Sequence, residues 1–572
     1  MDRFAIAAVL REIGALLELQ GDNPFKARAY ERGARALEAF NGDLGALVDE
    51  RRLTSLAGVG TALAGTIAEI HRTGRSEQLD RLRRQLPPGV VELIQVPHLT
   101  LPRIRALHQA LGVSSVAELK AACEAGRVRG VKGFGPKTEE KVLAGICEFE
   151  TRGEAVLLYE ADREGQALLE YVRAVPGVQQ ADLAGALRRR TEVVDRLVVA
   201  VATADPATAV DRAARYPQSV AVIERDLTGC SARLAAGLIA QVQTAPRSAY
   251  PALLHELTGS EAHRERIAQR AKELGLALDR RGLTRLANGQ RLPVKSEADL
   301  YRHLDLPYMP PELREDVGEI EAALAGLLPT DLVEEADIQG LVHCHTVYSD
   351  GRHTVEEMAR AAEEMGMKYI TITDHSPTAT YAGGLSLDRL QRQWDDIDRA
   401  QEKVNVRLLR GTESDILADG SLDYPDRILE KMDVVIASIH NRYKMNEEQM
   451  TRRLVTALKI PLFKVWGHAL GRYVRSRPPI AVRMEEVLDA AAESRVAVEV
   501  NGDPHRLDME PRWQREARRR GIRFVISTDA HSTRELRYVR YGVSMARRGW
   551  LRKKEVLNTL GVEEFRHAVR PS

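Results

Sequence analysis

Nine side chains of the types that bind metal ions recur through the C-terminal part of this 572-residue sequence. They are His343, His345, Asp350, His375, Glu413, His440, His468, Asp529 and His531. Most of them follow an apolar, β-branched run of strand length, at 368–373, 434–439, 462–466 and 524–528. Imidazole nitrogens mixed with carboxylate oxygens suit zinc, manganese or iron better than magnesium alone. The sequence therefore predicts a transition-metal centre built at strand ends.

The elements that must position these ligands alternate between strands and helices. Strands are predicted at 337–343, 368–373, 406–412, 433–439, 462–467, 496–501 and 523–528, and helices at 354–365, 387–402, 446–458 and 484–493. This spacing indicates parallel βα units that close into a barrel, whose functional residues collect at the carboxyl rim.

The first 150 residues read as helices that are interrupted by two glycine hairpins. Gly58-Val59-Gly60 precedes a helix that starts near Thr61, and Gly133-Phe134-Gly135 precedes a helix that carries Lys137. Hairpins of this kind let backbone N–H groups at a helix start approach a phosphate. They resemble helix-hairpin-helix motifs, which hold the DNA backbone without reading sequence. The alternative is that these glycines only form helix C-caps and turns.

A middle copy, IQVPHLTLPRIRAL, has His98 and Thr100 where glycines are expected, so its fold is predicted but not a phosphate contact. From about 151 to 325 the pattern changes to mixed α and β, and it includes the segments TGSEAH and LPYMPPELRED. Together with the hairpins and the ligand series, these segments resemble the bacterial and archaeal family-X DNA polymerases over essentially the whole chain.

The resemblance implies three domains. They are a helical DNA-binding domain with helix-hairpin-helix motifs (1–150), a nucleotidyltransferase-like α+β palm with thumb (151–325), and a distorted (β/α)7 PHP (polymerase and histidinol phosphatase) barrel (336–572). The PHP barrel of the family implies two or three divalent ions, with Glu413 as a bridge and with Glu413, His440 and Asp529 as catalytic residues. Asp374 is expected to orient His375 or to lie behind the ligands.

Further groups around the rim are expected to support that site. Candidates for holding phosphate are Arg442, Lys444, Arg472 and Arg506, for which solvated surface charge is the alternative. Glu499 and Asn501 end the sixth strand and are expected to support the ligands.

The palm lacks the carboxylates that two-metal phosphoryl transfer needs. The family pattern falls on Arg196, Val198 and Gln241, which cannot hold a metal pair. The resemblance still implies nucleotide contacts at Gly185 and Arg189.

A shifted register is the alternative for the palm, with Glu192, Asp195 and Asp205 as ligands. The strand after Asp195, LVVAVA, carries no second carboxylate, so weak or absent templated polymerisation is expected.

The composition is that of an ordinary protein without a membrane span. A net charge of +1 gives no global argument for nucleic acid, and four cysteines without CxxC spacing argue against disulfides and thiolate zinc sites. The N-terminus has no cleavable apolar core. We expect a cytoplasmic protein, a monomer by default, whose partners are DNA ends, gaps or single strands, and for which nucleotides are candidate ligands.

The expected function is metal-dependent 3′-5′ exonuclease activity of a DNA-repair protein. The alternatives are an active gap-filling polymerase with divergent palm ligands, a small-molecule phosphomonoesterase of the histidinol-phosphatase type, and a non-catalytic DNA-binding scaffold.

Overall fold

Helices make up the described part of the first of two units, residues 1–153. The computed structural model describes residues 3–20, 24–40, 44–56, 58–73, 76–85, 93, 96, 99–151 and 155–571. The helices of this unit are α1 Arg3–Gln20, α2 Pro24–Ala39, α3 Leu44–Asp49, α4 Thr61–Thr73, α5 Glu77–Gln85, α6 Leu101–Leu111, α7 Val116–Glu124 and α8 Pro136–Thr151. One apolar core joins α1 to α5 and another joins α6 to α8. His98 lies outside the described residues, and Thr100 immediately precedes α6.

A five-stranded sheet forms the palm of the second unit, residues 154–572. Its strands run in the order β2-β4-β7-β6-β5, with β4 and β7 parallel and the other neighbours antiparallel. The palm strands are β1 Val156–Leu157, β2 Val178–Ala184, β3 Val193–Val194, β4 Arg196–Thr203, β5 Ser219–Arg225, β6 Gly229–Leu234 and β7 Ile239–Ala245. Its helices are α9 Leu158–Arg173, α10 Gly185–Arg188 and α11 Pro206–Ala214. Strand β4 is buried from Leu197 to Thr203, because α9 packs on one face of the sheet and a helix of the thumb on the other.

The thumb follows as a small helical layer with one hairpin. Its elements are α12 Tyr250–Thr258, α13 Glu261–Glu273, β8 Leu276–Asp279, β9 Gly282–Arg285, α14 Glu297–His303 and α15 Glu319–Leu324. Glu297 lies at the start of α14 and pairs with both Arg188 of the palm and the fully buried Arg314. A buried carboxylate between two guanidinium groups fixes the thumb against the palm, since either partner left alone would be an uncompensated buried charge.

Seven parallel strands in sequential order build the C-terminal barrel. They are β10 Gly340–Cys344, β11 Tyr369–Ile372, β12 Arg407–Asp415, β13 Val434–Ser438, β14 Val465–Trp466, β15 Ala497–Asn501 and β16 Phe524–Ser527. The last strand approaches the first, because His345 donates its N–H to the carbonyl of Ala530 and Ala530 donates to that of His343. The prediction of a nearly closed seven-stranded barrel is therefore confirmed.

Amphipathic helices cover the barrel. They are α16 Val355–Glu364, α17 Leu387–Gln401, α18 Asp426–Leu429, α19 Glu447–Leu458, α20 Met484–Glu493, α21 Pro511–Arg519, α22 Val539–Arg548 and α23 Val562–Val569. Helix α16 starts with a capping box in which Thr354 and Glu357 bond each other's backbone N–H. Helix α17 buries Leu390, Trp394 and Ile397, which is the spacing of one helix face. The four barrel helices predicted from the sequence are confirmed to within one residue at each end.

Ion pairs join the palm and thumb to the barrel. Arg472 of the barrel contacts Glu192 of the palm at 2.7 Å, and Arg548 contacts Glu315 of the thumb at 2.9 Å. The short linker from 326 to 335 thus connects parts that share one contact unit. Among the described residues, no helix is both long enough and apolar enough to cross a membrane.

Candidate active site

The barrel strands bring all nine predicted metal-type ligands to one end of the barrel. His343 lies in β10, Glu413 lies in β12, and the others lie in the segments that follow β10, β11, β13, β14 and β16. Three of them, His343, His468 and Asp529, have positive φ angles of 65°, 22° and 49°. Non-glycine residues adopt this conformation at a cost, and it occurs mostly where function requires a particular side-chain direction.

The ligand atoms form three overlapping groups, within each of which all atoms lie within 4.8 Å of one another. These groups are His345, Asp350, His375 and His531; His343, His345 and Asp529; and His375, Glu413 and His440. His468 adjoins the third group, because its Nε2 lies 2.7 Å from Oε1 of Glu413. Glu413 contacts more of the imidazoles than any other of the carboxylates, so it lies at the middle of the ligand set.

The polar atoms of this centre fit metal ions. Both carboxylate oxygens of Glu413 and both ring nitrogens of His345 are buried; imidazole nitrogens and carboxylate oxygens lie close to them, but no contact with the described residues has the geometry of a hydrogen bond. The Nε2 atoms of His440 and His468 face each other at 3.1 Å. Unsatisfied buried polar atoms are costly in a native structure, and coordination of a metal ion would satisfy them. A set of converging imidazole and carboxylate donors of this kind fits divalent metal ions.

Carboxylates behind the ligands fix the imidazole rings. Glu499 lies 2.5 Å from Nδ1 of His343, and Asp415 lies 2.6 Å from Nδ1 of His440. With Nδ1–H donated to a carboxylate, each ring directs Nε2 into the centre. Asp415 was missed in the sequence analysis, although it stands two residues after Glu413 and so lies on the same face of β12.

Electrostatic effects in the centre are strong and opposed. Burial lowers the pKa of His343, but the carboxylates of Glu499, Glu413 and Asp529 outweigh it and hold that pKa well above its usual range. Burial raises the pKa of Glu413, but the surrounding imidazoles, His440 first, hold it well below its usual range. For His468, burial and the nearby Arg506 lower the pKa to about 4.

Of the two roles expected for Asp374, the structure contradicts the orientation of His375 and agrees with a position behind the ligands. The Asp374 carboxylate accepts hydrogen bonds from Thr346, Ser349 and Gln393 and so fixes the loop before Asp350.

The four predicted phosphate-holding cations have different environments. Arg472 is 5% exposed and donates to the carbonyls of Arg506 and Leu507 and to Glu192 and Glu510. Its guanidinium is therefore used in structure, and the expectation that it holds phosphate is wrong.

Arg506 lies at the rim, with Nε 3.1 Å from Oδ2 of Asp529. Arg442 and Lys444 are exposed. Arg477 was not predicted, and it lies over the rings of Tyr443 and Tyr473.

The palm has no comparable centre in the described residues. Val198, where the family pattern has a carboxylate, is buried against an apolar cluster that includes Tyr250, and its parallel-strand partner is Gln241. Arg196 contacts Gln241 at 3.4 Å. Val198 and Gln241 are therefore neighbours on parallel strands, as the family pattern predicts for two of its carboxylate positions. Both residues are uncharged.

The alternative palm ligands are separated from one another. Glu192 pairs with Arg472 of the barrel, and Asp205 caps α11 beyond the far end of β4. Of the residues predicted to bind nucleotide, Gly185 starts α10 with a φ of 62°, and Arg189 pairs with Glu315 at 3.0 Å.

The two glycine hairpins of the first unit share one arrangement. Gly58 and Gly133 have φ angles of 91° and 89°, which favour glycine. Val59 and Phe134 are buried, whereas Gly58, Gly60 and Gly133 are exposed. Each apolar side chain thus anchors a hairpin whose backbone reaches solvent.

Each hairpin leads directly into a helix. Helix α4 begins immediately after Gly60, and α8 begins immediately after Gly135. Lys137 is exposed in the first turn of α8. N–H groups at a helix start, with a lysine beside them, favour phosphate binding.

Four protein families match parts of the chain. A helix-hairpin-helix domain matches residues 1–76, a SAM-like helix-hairpin-helix tandem matches 90–146, the DNA polymerase beta thumb matches 253–315, and the PHP domain matches 342–503. The helix-hairpin-helix and thumb matches indicate DNA binding, and the PHP match indicates a metal-dependent domain.

Two relatives extend the comparison. The DNA polymerase/3′-5′ exonuclease PolX of Bacillus subtilis (strain 168) is 34% identical over 567 residues, which cover 99% of this chain and 98% of the relative. A probable phosphatase of Caldanaerobacter subterraneus subsp. tengcongensis is 32% identical over 201 residues, 33% of this chain and 74% of that protein. Since the first match spans both chains almost completely, this chain belongs to the family-X DNA polymerases that carry a PHP domain.

Proposed function

We propose that the chain is a DNA-repair 3′-5′ exonuclease whose chemistry takes place in the barrel and whose templated polymerisation is weak or absent. The observation that carries this proposal is the contrast between nine converging ligands in the barrel and an uncharged pair, Val198 and Gln241, in the palm. The similarity to a protein named both polymerase and 3′-5′ exonuclease supports the substrate class.

The nine ligands would hold two or three divalent ions of manganese, zinc or iron. Bound there, the ions supply Lewis acidity for activating water and for stabilising the leaving oxygen. Glu413, His440 and Asp529 are the proposed catalytic residues. Glu413 would supply both of its carboxylate oxygens as metal ligands, while Asp415 keeps His440 directed at the centre.

In the proposed reaction, water attacks the phosphorus of the 3′-terminal phosphodiester and the bond to the 3′ oxygen of the preceding nucleotide breaks. The products are a nucleoside 5′-monophosphate and a strand that is shorter by one nucleotide. The hairpins at Gly58–Gly60 and Gly133–Gly135, with Lys137, would hold the DNA backbone without reading its sequence.

The test is degradation of labelled single-stranded and gapped DNA with Mn²⁺ by the wild-type chain and by a His343→Ala/His345→Ala variant. The expected result is stepwise shortening from the 3′ end by the wild-type protein and none by the variant. Degradation by the variant at the wild-type rate would refute the assignment of the nuclease to this centre. Histidinol phosphate serves as the substrate for the phosphomonoesterase alternative, which the probable phosphatases among the relatives favour.

Primer extension with Mg²⁺ and then with Mn²⁺ tests the palm. Little or no extension is expected, because a hard divalent ion needs anionic oxygens and the described palm residues do not bring three such groups together. Efficient extension that Asp195→Ala abolishes would instead support a gap-filling polymerase with divergent ligands. Such a result would also support Gly185 and Arg189 as nucleotide contacts.

We propose three functional parts with the boundaries 1–150, 151–325 and 336–572, which agree with the positions of the family matches. We also propose that the protein is a monomer in the cytoplasm. The proposed substrates are DNA ends, gaps or single strands.

A further inference from the structure

A stack of cationic and aromatic side chains adjoins the metal-type centre and contacts it through Arg506, which pairs with Asp529. The carbon at the centre of the Arg477 guanidinium lies 4.3 Å from the Tyr443 ring and 4.1 Å from the Tyr473 ring. The equivalent carbon of Arg506 lies 4.6 Å from the Tyr473 ring. Both guanidinium groups therefore contact the Tyr473 ring, and their positive charges repel each other.

Local structure fixes both guanidinium groups through a single nitrogen. Arg477 and Tyr473 exchange two backbone hydrogen bonds, which close a tight turn, and Nε of Arg477 donates to the carbonyl of Gly471 at 2.7 Å. Nε of Arg506 lies 3.1 Å from Oδ2 of Asp529. The terminal nitrogens of each guanidinium remain available for another partner.

One terminal nitrogen of each guanidinium is buried and lacks a hydrogen-bond partner among the described residues. These atoms are Nη2 of Arg477 and Nη1 of Arg506. Arg506 is only 5% exposed, yet its nearest carboxylate is Asp529, which is itself a proposed metal ligand. Arg477 forms no ion pair with any described residue. Buried N–H donors without hydrogen-bond partners are costly, so this arrangement favours an anion that arrives with the substrate, even though Arg506 also lies near Asp503 at 4.0 Å.

The position of the stack indicates which anion it takes. The scissile phosphate must lie against the ligand atoms, and Arg506 adjoins those atoms through Asp529. Arg477 lies one aromatic layer farther out, next to Tyr443, whose hydroxyl donates to the carbonyl of Ile439 just before His440. A group at that position would lie beyond the scissile phosphate, beside the adjoining nucleotide of a strand bound at the centre.

We propose that Arg477, supported by Tyr473 and Arg506, binds the phosphodiester on the 5′ side of the scissile bond and so selects a polynucleotide over a small phosphate ester. This subsite rests on the proposed exonuclease function and names the feature of the substrate that the same centre recognises. Arginine suits the role, because its planar guanidinium can stack on an aromatic ring and bind phosphate with two N–H groups at once.

Short DNA substrates of defined length test the subsite. A dinucleoside monophosphate offers only the scissile phosphate, whereas a trinucleoside diphosphate also offers the adjoining one. With Mn²⁺, the wild-type enzyme is expected to have a kcat/KM for the trinucleotide at least about tenfold above that for the dinucleotide, as a charge-assisted hydrogen bond would give. Arg477→Gln should remove most of that ratio, and Arg477→Lys should restore part of it.

A salt series supplies a second readout that a purely structural role would not change. Loss of one phosphate contact should reduce the slope of log(kcat/KM) against log salt on a longer single strand by about 0.7. Arg452→Gln is the matched control, because Arg452 is an exposed cation of α19 that pairs with Glu448. Its chain-length ratio and its salt slope should match those of the wild type.

Each outcome decides between readings. If wild type degrades neither substrate, the proposed nuclease function itself fails. If wild type is active but Arg477→Gln keeps the wild-type chain-length ratio and salt slope, the subsite is refuted. An equal loss on both substrates would also refute it, because Arg477 would then serve the scissile phosphate or only the fold. The melting temperature of the variant separates those two.

Discussion

Replacing Glu499 by glutamine should weaken metal binding without removing any ligand. Glu499 is completely buried, lies 2.5 Å from Nδ1 of His343, and also accepts hydrogen bonds from the backbone of His468 and from Asn501. Glutamine preserves the shape of this side chain but removes its charge. The bond to the imidazole then loses its charge-assisted character, and His343 loses the group that directs Nε2 into the centre.

The size of the effect follows from the role of such orienting groups. Changing the hydrogen-bond partner of a metal-binding histidine typically costs 10- to 100-fold in affinity or activity, which corresponds to about 1.4 to 2.7 kcal/mol. Because Glu499 contacts segments that carry two different ligands, we expect an effect toward the upper end of that range. Asp415→Asn, behind His440, should act through one ring only and show a smaller effect.

Calorimetric titration of the metal-free protein with Mn²⁺ measures the affinity, and the rate of 3′-terminal nucleotide release measures activity. Asp398→Asn is the matched control, because Asp398 is an exposed carboxylate that pairs only with Arg410 among the described residues. Wild-type Mn²⁺ affinity in Glu499→Gln would refute the reasoning, since it would show that the carboxylate does not set the orientation of His343.

Three further changes test other parts of the structure. Gly351→Ala should abolish nuclease activity, because its Cβ would lie 2.6 Å from the backbone of His345 and force a ligand to move; DNA degradation and Mn²⁺ titration measure this. Burial raises the pKa of Glu297, but Arg314 first and then its second arginine partner lower it to about 2, from 4.5. The ion pairs of Glu297 with Arg188 and Arg314 should therefore stabilise the thumb by about 3 kcal/mol above pH 4.5. This stabilisation should be lost as the pH falls from 4.5 toward 2. Amide hydrogen exchange in α14 should reveal that loss, and Glu297→Gln should be destabilised already at pH 7. Lys137→Gln should weaken DNA binding equally for all sequences and reduce the salt slope of the affinity by about 0.7 to 0.9, measured by fluorescence anisotropy.

The strand-end ligands were predictable from the sequence because two periodicities agree there. Apolar runs of strand length alternate with amphipathic helices, and parallel strands place their carboxyl ends at one rim. The pattern alone therefore places a histidine such as His375 or His468, which stands just after such a run, at the carboxyl rim of the barrel. The apolar centres of the hairpins, Val59 and Phe134, were predictable for a similar reason, since each stands between two glycines before a helix.

Side chains in the rim loops were not predictable in the same way. Arg472 and Arg477 stand five residues apart in one loop, and the sequence gives no period that separates their roles. Arg472 pairs with Glu192, a carboxylate of the palm. Arg477 instead lies at the end of a turn that its two backbone hydrogen bonds with Tyr473 close. The direction of a loop side chain is set by partners distant in the chain, which local pattern does not contain.

The palm shows why arginines can remain in a site that has lost its carboxylates. Arg188 pairs with Glu297, Arg189 with Glu315, and each pair joins the palm to the thumb. Removing either arginine would leave a carboxylate of low exposure with only one of its two cationic partners, Arg314 for Glu297 and Arg548 for Glu315, and would break a contact between palm and thumb, which is destabilising.

Clustered carboxylates at a metal site behave in the opposite way. Without the ions they repel one another, so their replacement by an uncharged pair such as Val198 and Gln241 relieves repulsion and improves packing. In a palm that does not polymerise, as proposed above, stability favours retention of the arginines and replacement of the acids. On this reasoning, a Val198→Asp change should lower the thermal stability of the protein, and primer extension should stay at the wild-type level, because Arg196 and Gln241 still provide no second carboxylate. Recovery of extension in that single variant would show that the palm needs fewer anionic ligands than two-metal chemistry requires.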